Sequence, residues 1–403
     1  MKQFWLIVWL MLGSLLPPLG HALPPMQLFV DITPPGGVLT LPAGTYAGPV
    51  VINRPITIEG KDEVTLDGEG VGTVLTIKSD NVIVRGLHII NSGDSHDKVD
   101  AGLLLAADHA LVENLQIDNV LFGIHLQQAN ENIIRNNSIT SRGEQSSLRG
   151  EGIRLWYSKG NLMEGNQIAH VRDVLFTNSS DNRFVGNTIE QSRIGMEFIF
   201  SPGNTVENNT LIRNISGIVV LYSNEVVIRN NKLLNMPDAT SSALAVKGSS
   251  QVRIEGNEIV RCAVGLTANT PTHPENALYL NNNRFAYNDV AMYFYGEKGG
   301  HIVHGNRFIS NIIPVAVSAA SSALDNDWRG NYWDDYEGFD RDQDGVGDTP
   351  HSIYLYSDRL WMDRPMVRFF RGSPVLEVVD FIERLAPFSP PDLILSDPTP
   401  RIH

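Results

Sequence analysis

The chain has 403 residues, 42% of them hydrophobic, with 45 acidic against 31 basic side chains and a net charge of −14. That charge argues against nucleic acid or an anionic lipid surface as the main partner, because both repel an acidic protein. Cys262 is the only cysteine, so no intramolecular disulfide can form and stability has to come from packing.

Residues 1–22 read as a secretory signal: Lys2 supplies the charge, Phe4 to Leu16 form an apolar run, and Gly20-His21-Ala22 offers small residues for cleavage. The run is short for a spanning helix, which needs about 20 apolar residues. An exported mature chain beginning near Leu23 is expected. Residues 23–80 should form an amino-terminal cap and the first coils, with strand-and-turn segments at Pro42-Ala43-Gly44-Thr45-Tyr46 and Leu66-Asp67-Gly68.

From there to residue 323 the sequence is periodic. Asn-x-apolar recurs at Asn137, Asn166, Asn187, Asn209, Asn231, Asn257, Asn283 and Asn306, at intervals of 21 to 29 residues. Between these lie Gly-apolar-x-apolar segments such as Gly123-Ile124-His125-Leu126 and Gly195-Met196-Glu197-Phe198. Period-two alternation marks strands, and strands this short cannot fold alone. The economical solution is an all-β, right-handed, single-stranded parallel β-helix of roughly ten to eleven coils, each strand pairing with its copies about 4.8 Å above and below. The asparagines should then stack, their amides bonding from coil to coil. Cys262, inside a strand pattern, reads as a buried inert thiol.

In Gly-apolar-x-apolar the x residue and the residue following the motif point outward. One outer column then contains His125, Arg154, Leu175, Glu197, Val219 and Tyr293, and its neighbour contains Trp156, Ile199, Leu221 and Tyr295. Leu175, Ile199, Val219 and Leu221, flanked by Trp156 on one side and by Tyr293 and Tyr295 on the other, form a candidate partner-binding patch. Glu197 is the one acid of this column, with Arg154 two coils away, so no catalytic pair is expected and the chain reads as a non-enzyme. The alternative is a carbohydrate-binding or carbohydrate-cleaving β-helix, in which the aromatics would line a groove with Glu197 and His125. The loop 91–100, with Asp94, His96, Asp97 and Asp100, and the loop 141–150 read as polar surface insertions.

Residues 324–403 should close the solenoid. Asp340, Asp342, Asp344 and Asp348 stand at positions one, three, five and nine of a calcium-type loop, with Gly345 at six and the carbonyl of Val346 at seven. His351 replaces the usual twelfth-position glutamate, a gap that Asp334 or Asp335 could fill. A structural calcium ion is therefore expected. Pro374 with Val375, Val378, Val379, Ile382 and Leu385 suggests a capping helix, ended by Pro387 and followed by a proline-rich tail.

Ala43-Gly44-Thr45-Tyr46, Val84-Arg85-Gly86-Leu87, Gly150 to Trp156, Gly330-Asn331-Tyr332-Trp333, Gly345-Val346-Gly347-Asp348 and Leu385-Ala386-Pro387-Phe388 together resemble the NosD-type periplasmic β-helix proteins, accessory factors in nitrous oxide reductase maturation. The resemblance implies a non-enzymatic component of an ABC-type system that works with a permease, an ATPase and a copper chaperone or the copper enzyme itself, reaching the membrane only through partners. It also implies copper handling, with ligands this sequence does not identify. Where the family often shows histidine and methionine at outward strand positions, this chain has Glu197, Ile199 and Leu221, and aliphatic side chains cannot ligate a soft metal.

Overall fold

The computed structural model describes residues 22–402 apart from 144, 146–147, 270–276, 297–298, 319–322, 356–377, 379–381 and 383–391. The chain winds as a parallel β-solenoid. One sheet contains twelve strands, one per coil, from Val50–Ile52 through Ile153–Trp156, Asp173–Thr177, Ile194–Ile199 and Ser216–Leu221 to Ile313–Val317. The other two strands of each coil join a 24-stranded sheet through the long strands Thr57–Asp67 and Ile83–Ile90. Twelve coils exceed the ten to eleven expected. Parallel pairing already begins at Val38, opposite Thr57, ahead of the asparagine period. The helix Met26–Ile32 covers this first end, burying Met26 and Val30.

Inward residues make one continuous core that includes Phe176 stacked on Phe198 at 4.5 Å and Trp333 stacked on Phe308 at 4.2 Å. The asparagine ladder is unbroken from Asn137 to Asn331: each side-chain amide donates to the next coil's Oδ1, as in Asn187 to Asn209 at 3.0 Å and Asn209 to Asn231 at 3.0 Å. The same oxygen also accepts a backbone N–H, Asn187 N to Asn209 Oδ1 at 2.8 Å. A shorter ladder runs Asn132, Asn161, Asn182, Asn204. The left-handed corner residue is the one before each asparagine of the long ladder, such as Asn208 at φ 57° or Gly186 at φ 65°. The ladder asparagines themselves are buried acceptors and donors.

At the other end the antiparallel pair His351–Leu355 and Asp392–Asp397 closes the core with Ile394 and Leu395. The expected helix over 373–386 lies outside the described residues except Val378 and Ile382, which are helical and exposed. Cys262 is buried, and burial pushes its thiol up to about 11. No helix among the described residues is long and apolar enough to cross a membrane.

Candidate functional site on the outer face of the twelve-stranded sheet

The register aligns His125, Arg154, Leu175, Glu197 and Val219 in one column. The neighbouring column aligns Trp156, Thr177, Ile199 and Leu221. Ile199, Val219 and Leu221 are therefore adjacent and half-buried on the outer face, while Leu175, also half-buried, is separated from Val219 by Glu197. Trp156 lies across Thr177 from Ile199. Tyr293 and Tyr295, stacked on each other at 5.7 Å, stand three strands beyond Val219 and Leu221, across Ala245 and Thr267.

A third column, one residue further along each coil, was not foreseen. Tyr157, Phe200 and Tyr222 are 53%, 55% and 51% exposed, and Phe200 stacks on Tyr222 at 5.4 Å. All three have left-handed backbone, with φ of 49°, 50° and 50°. Bulky side chains rarely take that conformation, and corners that need it usually hold asparagine or glycine. Trp156, 36% exposed, packs edge-on against Tyr157 at 5.2 Å. Left-handed corners recur throughout the solenoid, His170 at φ 53° and Tyr287 at φ 57° among them, so what sets this column apart is its exposed aromatic surface.

On the opposite side of the aligned columns, where the chain enters each strand, is a second unforeseen group. Glu151, fully buried, pairs with Arg172 and lies 3.7 Å from Arg154. Asp173, also buried, pairs with Arg193, lies 3.4 Å from Arg172, and accepts the backbone N–H of Ile194 at 3.1 Å. The expectation that Glu197 has only Arg154 for company, two coils away, is corrected here: the charges of Arg193 and Arg172 at the corners also reach it, though neither forms an ion pair with it among the described contacts. Burial, then the charge of Asp173, raises Glu197 above the usual carboxylate range. Burial likewise raises Asp173. His125 is pushed down to about 4 by burial and then by Arg154, so it is neutral at pH 7. Three acids, three arginines and a neutral histidine thus share one focus.

The insertions flank this focus. Arg142 donates to the carbonyl of Gly93 at 2.8 Å and pairs with Asp94 at 2.9 Å, tying loop 141–150 to loop 91–100. Asp100 accepts the N–H of Ser95 at 2.9 Å and is buried, while His96 is exposed against Phe122.

In the Asp-rich loop the carboxylates of Asp340, Asp342 and Asp344 converge within 4.8 Å. Asp340 accepts the N–H of Asp344 at 3.1 Å and of Gly345 at 3.0 Å, and Asp344 accepts that of Val346 at 2.8 Å. Asp348 turns to the N–H of Arg341 at 2.9 Å. Asp334 is taken by Ser310 and Asp335 faces His351 at 3.6 Å, so neither joins the three. The charge of Asp344 raises Asp342 above its ordinary value.

Soft-metal donors are scarce on the outer face. The described methionines, Met26, Met163, Met196, Met236 and Met292, are all in the core with Cys262. His88 pairs with Asp118 at 2.8 Å and His109 lies 3.4 Å from Glu131. Among the described residues the three aspartates above are the one group of this kind that could hold an ion.

The family model of NosD, described as a periplasmic copper-binding protein, matches residues 136–338, half of the chain. The chain belongs to the NosD family. A second model, of a family of unknown function, matches residues 29–228. A relative from Pseudomonas aeruginosa, named a probable ABC transporter binding protein NosD, is 28% identical over 87% of this chain and 85% of its own. One of the same name from Stutzerimonas stutzeri is 26% identical over 86% and 83%. Among solved structures, the tailspike protein of E. coli bacteriophage HK620 superposes with a TM-score of 0.56 at 11% identity, over 84% of this chain and 80% of that one. The A-module of an Azotobacter vinelandii mannuronan C-5 epimerase gives 0.50 at 15% identity, over 75% and 93%. These two likenesses concern the fold. The NosD family is periplasmic and copper-binding by description, and the two NosD relatives carry the names of binding proteins, not of enzymes.

Proposed function

We propose that this NosD-family chain is a periplasmic, non-enzymatic accessory of an ABC-type system that assembles a copper enzyme, in the manner of nitrous oxide reductase maturation, exported by the signal in residues 1–22. It acts by docking a partner on the outer face of the twelve-stranded sheet. The observation that carries the reading is the apolar band of Leu175, Ile199, Val219 and Leu221 bordered by the exposed rings of Trp156, Tyr157, Phe200 and Tyr222. Interface centres are rich in aromatics and poor in charge, and solvent gives a surface strand no reason to carry such a row. Copper is the cargo of the system. With the described sulfurs in the core, docking supports the role better than ligation on this face.

The test is co-purification with the cognate permease, ATPase and copper enzyme, comparing the chain with an Ile199→Asp, Leu221→Asp double variant. Desolvating a charge in a packed interface costs several kcal/mol, enough to weaken binding by about a hundredfold or more. A folded double variant that binds as the parent does would remove the band from the function.

A further inference from the structure

Each coil enters the 24-stranded sheet through a short segment whose first and third residues point outward. From Ile77 and Ile83 to Lys247 and Arg253, every connection into these segments is five residues long, so no insertion overhangs the face from that side. The register stacks the third residues as Glu59, Arg85, Glu113, Arg135 and Glu164, alternating in sign on five successive coils. Beside them the first residues stack as Ile83, Leu111, Ile133 and Leu162. Ile133 is 36% exposed and the other three are half-buried. A continuous aliphatic stripe on an open face marks a contact surface.

The charges beside the stripe decide what covers it. Within the chain Arg85 pairs with Glu59 and lies 3.7 Å from Glu113, and Arg135 pairs with Glu113 at 2.7 Å. Glu164, at the end of the run, and Arg183, one coil further in the neighbouring column, form no ion pair among the described residues. A ladder of alternating sign is complementary to its own reverse when the symmetry axis falls between two rungs. A two-fold axis parallel to the strands, passing between the Glu113 and Arg135 rungs, sets each column on its own copy run backwards. Glu113 then faces Arg135 of a second copy, and Arg85 faces Glu164. Leu111 faces Ile133, and Ile83 faces Leu162. One rung further out, Thr57 and Glu59 face Arg183 and Val185, so both charges that lack an in-chain partner gain one. At the ends Val38 and Thr40 face Thr205 and Glu207, and no like charges are opposed.

We propose that the chain forms an antiparallel dimer through this face, a second copy covering the stripe of Ile83, Leu111, Ile133 and Leu162. The contact runs over eight rungs about 4.8 Å apart but is only two side chains wide. That is a narrow strip beside the roughly 800 Å² per partner of a standard interface. Dimerisation is therefore reversible, with a Kd on the order of 10–100 µM, and it leaves the outer face of the twelve-stranded sheet free for docking.

The experiment is sedimentation velocity on the chain purified from the periplasm, at about 1 to 300 µM and low salt. The mass moves from monomer to dimer across that range, and added salt weakens the association. Ile133→Asp and Glu164→Arg, measured separately, each weaken it by about tenfold or more while the melting temperature holds. Arg85→Glu weakens it likewise, and an equimolar mixture of Arg85→Glu with Glu164→Arg restores it, because each reversed charge meets its opposite across the axis. Should Arg85→Glu not fold, Glu164→Arg decides alone, having no in-chain ion pair to lose. The Ile199→Asp, Leu221→Asp variant dimerises as the parent does, which separates this contact from the docking band. The proposal is overturned if the parent stays monomeric at about 300 µM, if folded Ile133→Asp or Glu164→Arg associates as the parent does, or if the mixture associates no better than its components.

Discussion

The Oδ2 atom of Asp397 accepts the side-chain amide of Asn331 at 3.0 Å, 66 residues away in sequence. It also accepts the backbone N–H of Asn331 at 3.0 Å and the indole N–H of Trp333 at 3.1 Å. An aspartate thus occupies the place of the next asparagine and ends the ladder with an acceptor that needs no donor of its own to satisfy. Asp397→Ala leaves three buried donors open, each worth about 1–3 kcal/mol, and should lower stability by several kcal/mol in a denaturant melt. Asp397→Asn keeps an acceptor oxygen and should cost clearly less. Equal losses from the two variants would contradict the ladder-end role.

Phe200 and Tyr222 hold left-handed corners that asparagine tolerates better. Phe200→Asn and Tyr222→Asn should therefore leave the melting temperature unchanged or raise it, while co-purification of the docked partner falls. A lower melting temperature in either variant would mean that the rings act in folding and not in docking.

His125 is neutral in the folded protein because burial, and then Arg154, hold it at about 4, whereas in an unfolded chain it titrates near about 6.5. Between these values the unfolded state binds the extra proton, so stability is fully present above about pH 6.5 and is lost as pH falls toward 4. The loss is on the order of 2–3 kcal/mol. Asp173 and Glu197, both raised, act in the opposite sense and lose stability as pH rises. The His125→Gln variant isolates the histidine: its stability relative to the parent should improve steadily from pH 7 to pH 4, and parallel pH profiles would refute the assignment.

The convergence of Asp340, Asp342 and Asp344 predicts that millimolar calcium raises the melting temperature of chelator-treated protein, because the ion offsets their mutual repulsion. An Asp342→Asn, Asp344→Asn variant should lose that response. If the parent shows none, the backbone hydrogen bonds to Asp340 and Asp344 are the whole role of the loop.

The solenoid and its outer columns were legible because the pairing register follows the period: His125, Arg154, Leu175 and Glu197 align as the spacing of the glycine motifs requires. The aromatic column was not, since Tyr157, Phe200 and Tyr222 occupy corner positions where period-two alternation has ended and the occupant varies from coil to coil, Gln128, Asn178 and Gly248 holding the same corner elsewhere. The charged focus was missed for a related reason. Glu151, Arg172 and Arg193 sit at the corner before the strand, and attention to the column alone left Glu197 without partners. A signal was present: these three follow one another at steps of 21 residues, the length of a coil, and Phe200 and Tyr222 are one 22-residue coil apart. Reading the coil period through the corners, and not only through the strands, would have found both groups.

The coils of unequal length put their extra residues in few places. Loops 91–100 and 141–150, and the segment 237–241, all leave the solenoid at the corner that precedes the twelve-stranded sheet, the corner of Glu151, Arg172 and Arg193. The asparagine ladder passes through the 29-residue step from Asn137 to Asn166 with the same 2.9 Å bond as through the 21-residue step from Asn166 to Asn187. Lengthening or exchanging those loops therefore leaves the stack undisturbed. Insertions also enlarge the opposite corner, where nine residues separate Asn269 from Tyr279 against five between Ile199 and Thr205, so divergence among members should concentrate at the two corners that bound the twelve-stranded sheet while the coil count and ladder persist.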